Sequence, residues 1–119
     1  MIEANALINA IVGRIRSFDE SDIQEWREAL LVAPGLLNKA TIHTPADKER
    51  TVKLIGSRMG VDADDDIRPG LLVQLAFAAA DFAFQQWVRQ SAPRQPLDVY
   101  VTEALEVVRS RHWKGKRVT

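Results

Sequence analysis

Residues 64–90 read DDDIRPGLLVQLAFAAADFAFQQWVRQ, and this stretch decides the fold of the chain. It is predicted to form one long helix with apolar residues on nearly all sides. A helix that is apolar all round must be buried on more than one side. We therefore expect this helix to lie at the centre of the fold rather than on its surface.

At 100° per residue, the side chains of the long helix divide into four sides. One side is a polar line through Gln74, Asp81 and Gln85. Two apolar faces lie roughly opposite each other, with a flank of mostly small residues between them, and two separate packing partners are predicted. The first face contains Ile67, Leu71, Leu75, Ala78 and Phe82, the second contains Val73, Phe77, Ala80, Phe84 and Trp87, and the flank contains Leu72, Ala76, Ala79 and Ala83.

Two helices are predicted ahead of the first proline. Residues 4–15 show one apolar face at helical spacing, and the spacing of Ser21 and Gln24 is that of a capping box that starts a second helix. Residues 35–42 are predicted to form a short extra turn. The apolar face of the helix at residues 4–15 contains Ala4, Leu7, Ile8, Ile11, Val12 and Ile15. The apolar side of the second helix contains Trp26, Leu30, Leu31 and Ala33.

Start and stop signals bound the next helix at about residues 45–59. Thr44 can cap it, Pro45 suits the first helical position, and Asp47 favours the positive end of the helix dipole. Gly60 is placed to end the helix in a left-handed C-cap. The apolar line of this helix is thin and contains Val52, Ile55 and Met59, with Leu54 to one side.

A closing helix is predicted from Pro96 to about Arg109. Residues 1–110 are therefore predicted to be one all-α domain, an antiparallel bundle of five to six helices, and the basic residues 111–119 to be a poorly ordered tail. The stripe of the closing helix contains Leu97, Val101, Ala104, Leu105 and Val108, broadened by Tyr100 and Val107.

Length and composition indicate one globular domain. The 119 residues include sixteen basic and sixteen acidic side chains, whereas a chain that neutralises a phosphate backbone is usually basic. The absence of cysteine excludes disulfides and thiolate metal sites and fits a cytoplasmic protein. The N-terminal residues lack the layout of a secretory signal, and no segment has the ~18 unbroken apolar residues of a membrane span. Membrane association is therefore not expected.

The polar residues form no recognisable catalytic or metal motif, and no cofactor is predicted. Residues 62–66 match the first ligand positions of a calcium loop, but Ile67 and Val73 stand where that loop requires glycine and glutamate. Helix capping is the better interpretation of these acids. His43 and His112 do not have the spacing of a metal-ligand pair.

Asp81 lies between apolar neighbours, where a carboxylate is costly to bury without a partner. It is interpreted first as a position between helices that pairs with an arginine, and second as part of the lining of a ligand cavity. A role as general base has no support from a second titratable group at a visible spacing. The sequence therefore favours a protein that is not an enzyme.

A run of features follows the helix predicted at residues 45–59. It consists of a glycine and an aspartate, an acidic pair, an arginine, an alanine-rich stretch and a tryptophan. These are Gly60, Asp62, Asp65, Asp66, Arg68, residues 76–80 and Trp87. With the order of the helices, this pattern resembles the C-terminal ligand-binding and dimerisation domain of TetR-family transcriptional regulators over about residues 3–110. In that family a helix-turn-helix on the N-terminal side reads DNA, and this chain is expected to contain none.

The resemblance implies a homodimer in which the last two main helices pair with their copies as a four-helix interface. The predicted interface is the small-residue flank of the long helix together with one side of the closing helix, because both would otherwise be exposed. Its residues are Leu72, Ala76, Ala79, Ala83, Tyr100, Val101, Ala104 and Val108.

The resemblance also implies a mostly apolar small-molecule pocket inside the bundle. Acyl, aromatic or drug-like compounds would suit it, and Asp81 could orient a cationic or hydroxyl group. Two alternatives stay open: a dimeric helical interaction protein with no cavity, and a small helical enzyme that uses Asp81. The predicted pocket residues are Ile8, Ile11, Trp26, Leu30, Ile55, Phe77, Asp81 and Phe84.

Overall fold

A computed structural model describes residues 2–37, 39–41, 43–90 and 95–110. The described residues form six helices and contain no strand, so the predicted all-α fold is confirmed. The basic tail at 111–119 lies outside the described residues. The helices are α1 (Ile2–Arg16), α2 (Glu20–Leu31), α3 (Pro34–Leu37), α4 (Pro45–Met59), α5 (Ile67–Arg89) and α6 (Leu97–Ser110).

The ends of α4 are those that its local signals predict. Thr44 accepts a hydrogen bond from the Asp47 backbone N–H, and the Asp47 side chain accepts one from the Thr44 N–H, which completes a capping box. At the other end Gly60 has φ 72°, in the left-handed region that favours glycine. The extent of α4 is therefore set by residues at or next to its ends.

The start of α2 differs from the prediction. Asp19, not Ser21, caps this helix, and its carboxylate accepts hydrogen bonds from both the backbone N–H and the hydroxyl of Ser21. Asp and Ser are comparable caps, so the helix begins at the earlier of two adjacent candidates. Leu31 is exposed rather than on the buried side, and Arg27 is buried instead.

Helix α5 is the centre of the bundle, as its sequence predicts. It packs against α1, α2, α4 and α6, and its contact with α6 is the most extensive between any two helices. The face that contains Val73, Phe77, Ala80, Phe84 and Trp87 is buried. The opposite apolar face is exposed: Leu71, Leu75 and Phe82 are 52%, 49% and 60% accessible, and Ile67 and Ala78 are also exposed.

Polar contacts at both ends show that α1 and α6 run antiparallel. Near the end of α1, Arg16 donates to the Asp98 carboxylate at 3.0 Å, close to the start of α6. Near the start of α1, the Asn5 side chain accepts a hydrogen bond from Arg109 at 3.3 Å, close to the end of α6. These contacts fix one flank of α6 against α1, which leaves the other flank to pack on α5.

Arg27 of α2 caps the C-terminal end of α5. Its guanidinium donates to the Gln90 carbonyl and lies 5.8 Å from the centre of the Trp87 ring. A cation at this end of a helix is stabilised by the exposed carbonyl groups and the helix dipole, and the ring face adds a cation–π contact. The only buried charged residue in the described part of the core therefore attaches α2 to α5.

Asp66 caps the start of α5 and gives a pH-dependent prediction. Hydrogen bonds from the Arg68 side chain, and then from its backbone N–H, lower the pKa of Asp66 from 3.8 to about 2. Because the pKa is lower in the folded state, the ionised carboxylate stabilises the fold above pH 3.8, and this contribution is lost as the pH falls to about 2. Asp66→Asn should therefore be less stable than the wild type at neutral pH, with the difference closing across that interval.

Urea unfolding of both proteins at a series of pH values measures this difference. Asp65→Asn is the matched control, because it removes a charge from the same acidic run and leaves the cap intact. A gap between wild type and Asp66→Asn that is constant down to the lowest pH would contradict the assignment.

Candidate functional site

Helices α1, α4 and α5 and the segment before α4 surround a partly open cavity of about 160 Å³. Its floor is apolar, because three α1 side chains at four-residue spacing point to the same side of that helix and face two buried residues of α5. The floor residues are Leu7, Ile11, Ile15, Phe77 and Ala80, and the remaining lining residues are Ala10, Arg14, His43, Asp47, Arg50 and Thr51.

The rim of the cavity is charged. Arg14 Nη2 of α1 lies 3.3 Å from Asp47 Oδ2, and Arg50 Nη2 of α4 lies 3.4 Å from Asp47 Oδ1. Hydrogen bonds from the Thr44 backbone N–H and then from its side chain, followed by the charges of the two arginines, lower the pKa of Asp47. The carboxylate is therefore ionised at neutral pH, and the three rim groups together carry one net positive charge.

His43 and Asp81 tie the segment before α4 to α5. His43 Nδ1 lies 3.5 Å from Asp81 Oδ1, and the His43 ring packs on Phe77 at a tilt of 39°, with ring centres 4.3 Å apart. The Gln85 side chain also donates to the Ala40 carbonyl at 3.2 Å. The polar line of α5 thus serves as an attachment for this segment beside the cavity.

Of the eight predicted pocket residues, Ile11 and Phe77 line the cavity. Phe84 is fully buried, with its ring 4.7 Å from that of Trp26 and 6.4 Å from that of Trp87, so it packs against other side chains. Asp81 lies behind His43 and outside the lining. Ile8, Trp26, Leu30 and Ile55 belong to or pack against the core and do not line this cavity either.

Sequence reasoning missed the polar part of the site. Arg14, Asp47 and Arg50 come from two helices that are distant in sequence, and of the three only Asp47 had a predicted role, at the start of its own helix. The available signal was the shared spacing of Leu7, Ile11 and Arg14, which places an arginine at the edge of the apolar face of α1. That signal does not reveal which residues of α4 lie opposite.

The small-residue flank of α5 faces α6 of the same chain. The buried face of α5 lies between its polar line and its small-residue flank. Because the polar line contacts the segment before α4, the small-residue flank is the side that contacts α6. Ala76, Ala83 and Val101 are buried within the single chain, and a dimer contact through them would require α5 and α6 to separate. Within one chain these three residues belong to the α5–α6 contact, and their predicted place in a dimer interface stays a prediction.

The exposed apolar residues lie beside that flank. Leu72 and Ala79 of α5 and Tyr100, Ala104 and Val108 of α6 are half-buried at its margin. Because α1 occupies the Asp98 and Arg109 side of α6, the 57% exposed Val107 lies toward α5. We call the following set the α5–α6 apolar surface: Leu71, Leu75, Ala78, Phe82 and Val107.

Among the described residues, α5 is also the one helix long and apolar enough to cross a membrane. The core helix of a soluble domain meets the same criterion. Here one face of α5 packs on four other helices, and Asp81 on its polar line pairs with His43. We therefore interpret α5 as a core helix with a second apolar face.

A helical bundle of this order is the architecture of the C-terminal domain of TetR-type transcriptional regulators. The chain belongs to that family: the family described as the MftR C-terminal domain matches residues 3–112, which is nearly the whole chain. The resemblance inferred from residues 60–87 is thereby confirmed.

A curated relative points to the same class. The chain is 28% identical over 109 residues to the HTH-type transcriptional regulator TcmR of Streptomyces glaucescens. The match covers 84% of this chain and 47% of that protein, so the chain spans about half the length of this relative. No solved structure matches the chain significantly.

Proposed function

We propose that this chain is the effector-binding and dimerisation domain of a transcriptional regulator and has no enzymatic activity. The cavity between α1, α4 and α5 would take a small apolar or amphipathic molecule. The observation that carries this proposal is an apolar floor beneath a charged rim, built from three helices of the bundle. Ligand sites of this kind combine mostly apolar walls with a few polar groups that fix orientation.

We further propose that two copies associate through the α5–α6 apolar surface. Leu71, Leu75 and Phe82 are each about half exposed or more on one face of one helix, and contiguous apolar patches of this kind are uncommon on monomers. A two-fold axis across this surface would bring α5 and α6 against the same helices of a second copy. The partner is therefore a second copy of this chain.

Helix α5 would connect the two roles. Phe77 and Ala80 contribute to the cavity, whereas Leu75, Ala78 and Phe82 contribute to the α5–α6 apolar surface. A ligand that shifts α5 on one face therefore displaces the dimer contact on the other face. In a cytoplasmic regulator, this displacement would change the spacing of two helix-turn-helix units, of the kind named in the relative, on DNA.

Thermal unfolding with a panel of small compounds tests the cavity. Octanol, indole, decanoate and benzylamine cover neutral, aromatic, anionic and cationic chemistry, and a compound that binds the folded state raises the melting temperature. We expect at least one of them to do so. Ala10→Phe should abolish the shift, because exposed Ala10 lies in the cavity lining and a phenyl group there blocks the opening.

Ala29→Phe is the matched control, since it makes the same change at an exposed site on α2 outside the cavity. It should leave every melting-temperature shift intact. If no compound in the panel stabilises the wild type, the chain is better described as a helical interaction protein without a ligand.

A further inference from the structure

We propose that the effector is a small monocarboxylic acid whose apolar body is about the size of one ring. This inference rests on the proposed function, because it specifies the chemistry of the ligand that the same cavity takes. Three observations carry it: the volume of the cavity, the state of the rim charges, and the position of the Asp81 carboxylate.

The volume sets the size of the apolar body. The cavity measures about 160 Å³. An engineered apolar cavity of about 150 Å³ binds benzene, so one six-membered ring fills a space of this size. Phe77 and the tilted His43 ring packed against it form one aromatic wall, and Leu7 and Ile11 lie on the α1 side. A long acyl chain would extend past the rim into solvent.

The rim selects an anion. Asp47 is already engaged by Thr44, Arg14 and Arg50, so its carboxylate has little capacity left for a cationic ligand. The Thr51 hydroxyl donates its proton to the Asp47 backbone carbonyl at 2.7 Å, so the arginines are the groups that would donate to a ligand anion. The two guanidinium groups carry five N–H donors each, and Nη2 of each lies within 3.4 Å of the Asp47 carboxylate. Both arginines line the cavity and together have more N–H donors than one carboxylate accepts, so donors and one net positive charge are available at the rim.

The position of Asp81 argues against recognition of a cation. Its carboxylate lies 3.5 Å from Nδ1 of His43, and His43 lines the cavity whereas Asp81 does not. The role predicted for Asp81, to orient a cationic or hydroxyl group, stays a prediction. Among the described residues, Asp47 is the one carboxylate that lines the cavity, and it already pairs with two arginines.

Arg14 is the group that would change partners. Its side chain is 52% exposed, whereas Asp47 is held in place by the capping box at the start of α4. A ligand carboxylate that pairs with Arg14 in the fork geometry that guanidinium groups favour would replace the contact with Asp47. That exchange breaks an ion pair between α1 and α4, so binding is coupled to the packing of these two helices.

Calorimetric titration of the full chain with three compounds tests the charge and the size. Benzoate and cyclohexanecarboxylate share a carboxylate and differ in ring type, and benzamide has the shape of benzoate without its charge. We expect both acids to bind and benzamide to bind about tenfold more weakly or worse, as loss of a charge-assisted hydrogen bond requires. Benzamide that binds as tightly as benzoate overturns the inference.

Variants locate the binding site. Arg14→Gln should weaken benzoate binding about tenfold or more, and Arg50→Gln should weaken it in the same direction. Arg16→Gln is the matched control, because it removes an ion-paired arginine two residues further along α1 and outside this cavity. Benzoate affinity that survives Arg14→Gln and Arg50→Gln, or that survives Ala10→Phe, contradicts the proposal.

The outcomes separate this inference from the proposed function. Suppose that octanol or indole binds, that Ala10→Phe abolishes this binding, and that benzoate does not bind. In that case the cavity is an effector site for a different chemical class, and only the inference of a carboxylic acid falls. If no compound of either set binds, including benzylamine, both fall. Should Arg14→Gln fail to fold, the comparison of benzoate with benzamide on the wild type still decides the role of charge.

Discussion

Replacing Phe84 with alanine is expected to lower the free energy of unfolding by about 3–5 kcal/mol. Phe84 is 0% exposed, and its ring packs between Trp26 of α2 and Trp87 of its own helix. The substitution removes a large apolar group and leaves a cavity that helices fixed on both sides fill only in part. Equilibrium unfolding in urea, followed by circular dichroism, measures the loss.

Phe82→Ala is the control for this prediction. It makes the same chemical change two residues away, on a side chain that is 60% exposed. We expect its effect to depend on protein concentration, because it acts on association of two copies, whereas the effect of Phe84→Ala should be the same at all concentrations. A loss below about 1 kcal/mol for Phe84→Ala would show that this ring is not fixed in a packed core.

Leu75→Arg is expected to convert the dimer to a monomer that keeps its helical content. Leu75 lies in the middle of the α5–α6 apolar surface. In a two-fold interface, both copies carry the substitution, so it places two arginines near the symmetry axis. The free-energy cost of burying these charges without partners is larger than the stabilisation that the apolar contact provides. In the free monomer the same arginine points into solvent, so the fold should tolerate it.

Leu54→Arg is the matched control, because Leu54 is a 53% exposed leucine on α4, outside the proposed interface. It should leave the mass in solution unchanged. Size-exclusion chromatography with light scattering compares the two variants with the wild type. If the Leu75→Arg variant is a dimer and the Leu54→Arg variant is a monomer, the interface lies on α4 and not on α5.

Structural features that depend on residues close together in the chain could be predicted from the sequence. The bounds of α4 follow from Thr44, Pro45 and Gly60, all of which act within one helical turn of the end that they define. The start of α2 was predicted two residues late, because Asp19 and Ser21 are both good caps and local chemistry does not choose between them.

The sides of α5 were predictable from its periodicity, but the role of each side was not. The faces that contain Phe82 and Phe84 are similarly apolar, yet one is exposed and the other is fully buried. Which face becomes the core depends on where α1, α4 and α6 reach α5, and that is a property of the whole bundle. For the same reason the burial of the alanine flank against α6 within one chain was not predictable from the sequence.

The candidate site was the least predictable part. Its apolar floor uses Ile11 and Phe77, which helical spacing identifies, whereas its rim joins Arg14 to Asp47 across 33 positions of sequence. Apolar residues signal burial through their own periodicity. A surface arginine carries no such signal until the opposing helix is known, so the charge of the rim emerges only from the packed structure.

Sedimentation equilibrium of the wild-type chain at micromolar concentration tests most directly the claim that the second apolar face of α5 is a dimer interface. We expect a particle of twice the 13.4 kDa chain mass, reduced to one chain mass by Leu75→Arg. A wild-type particle of 13.4 kDa across the micromolar range would contradict it.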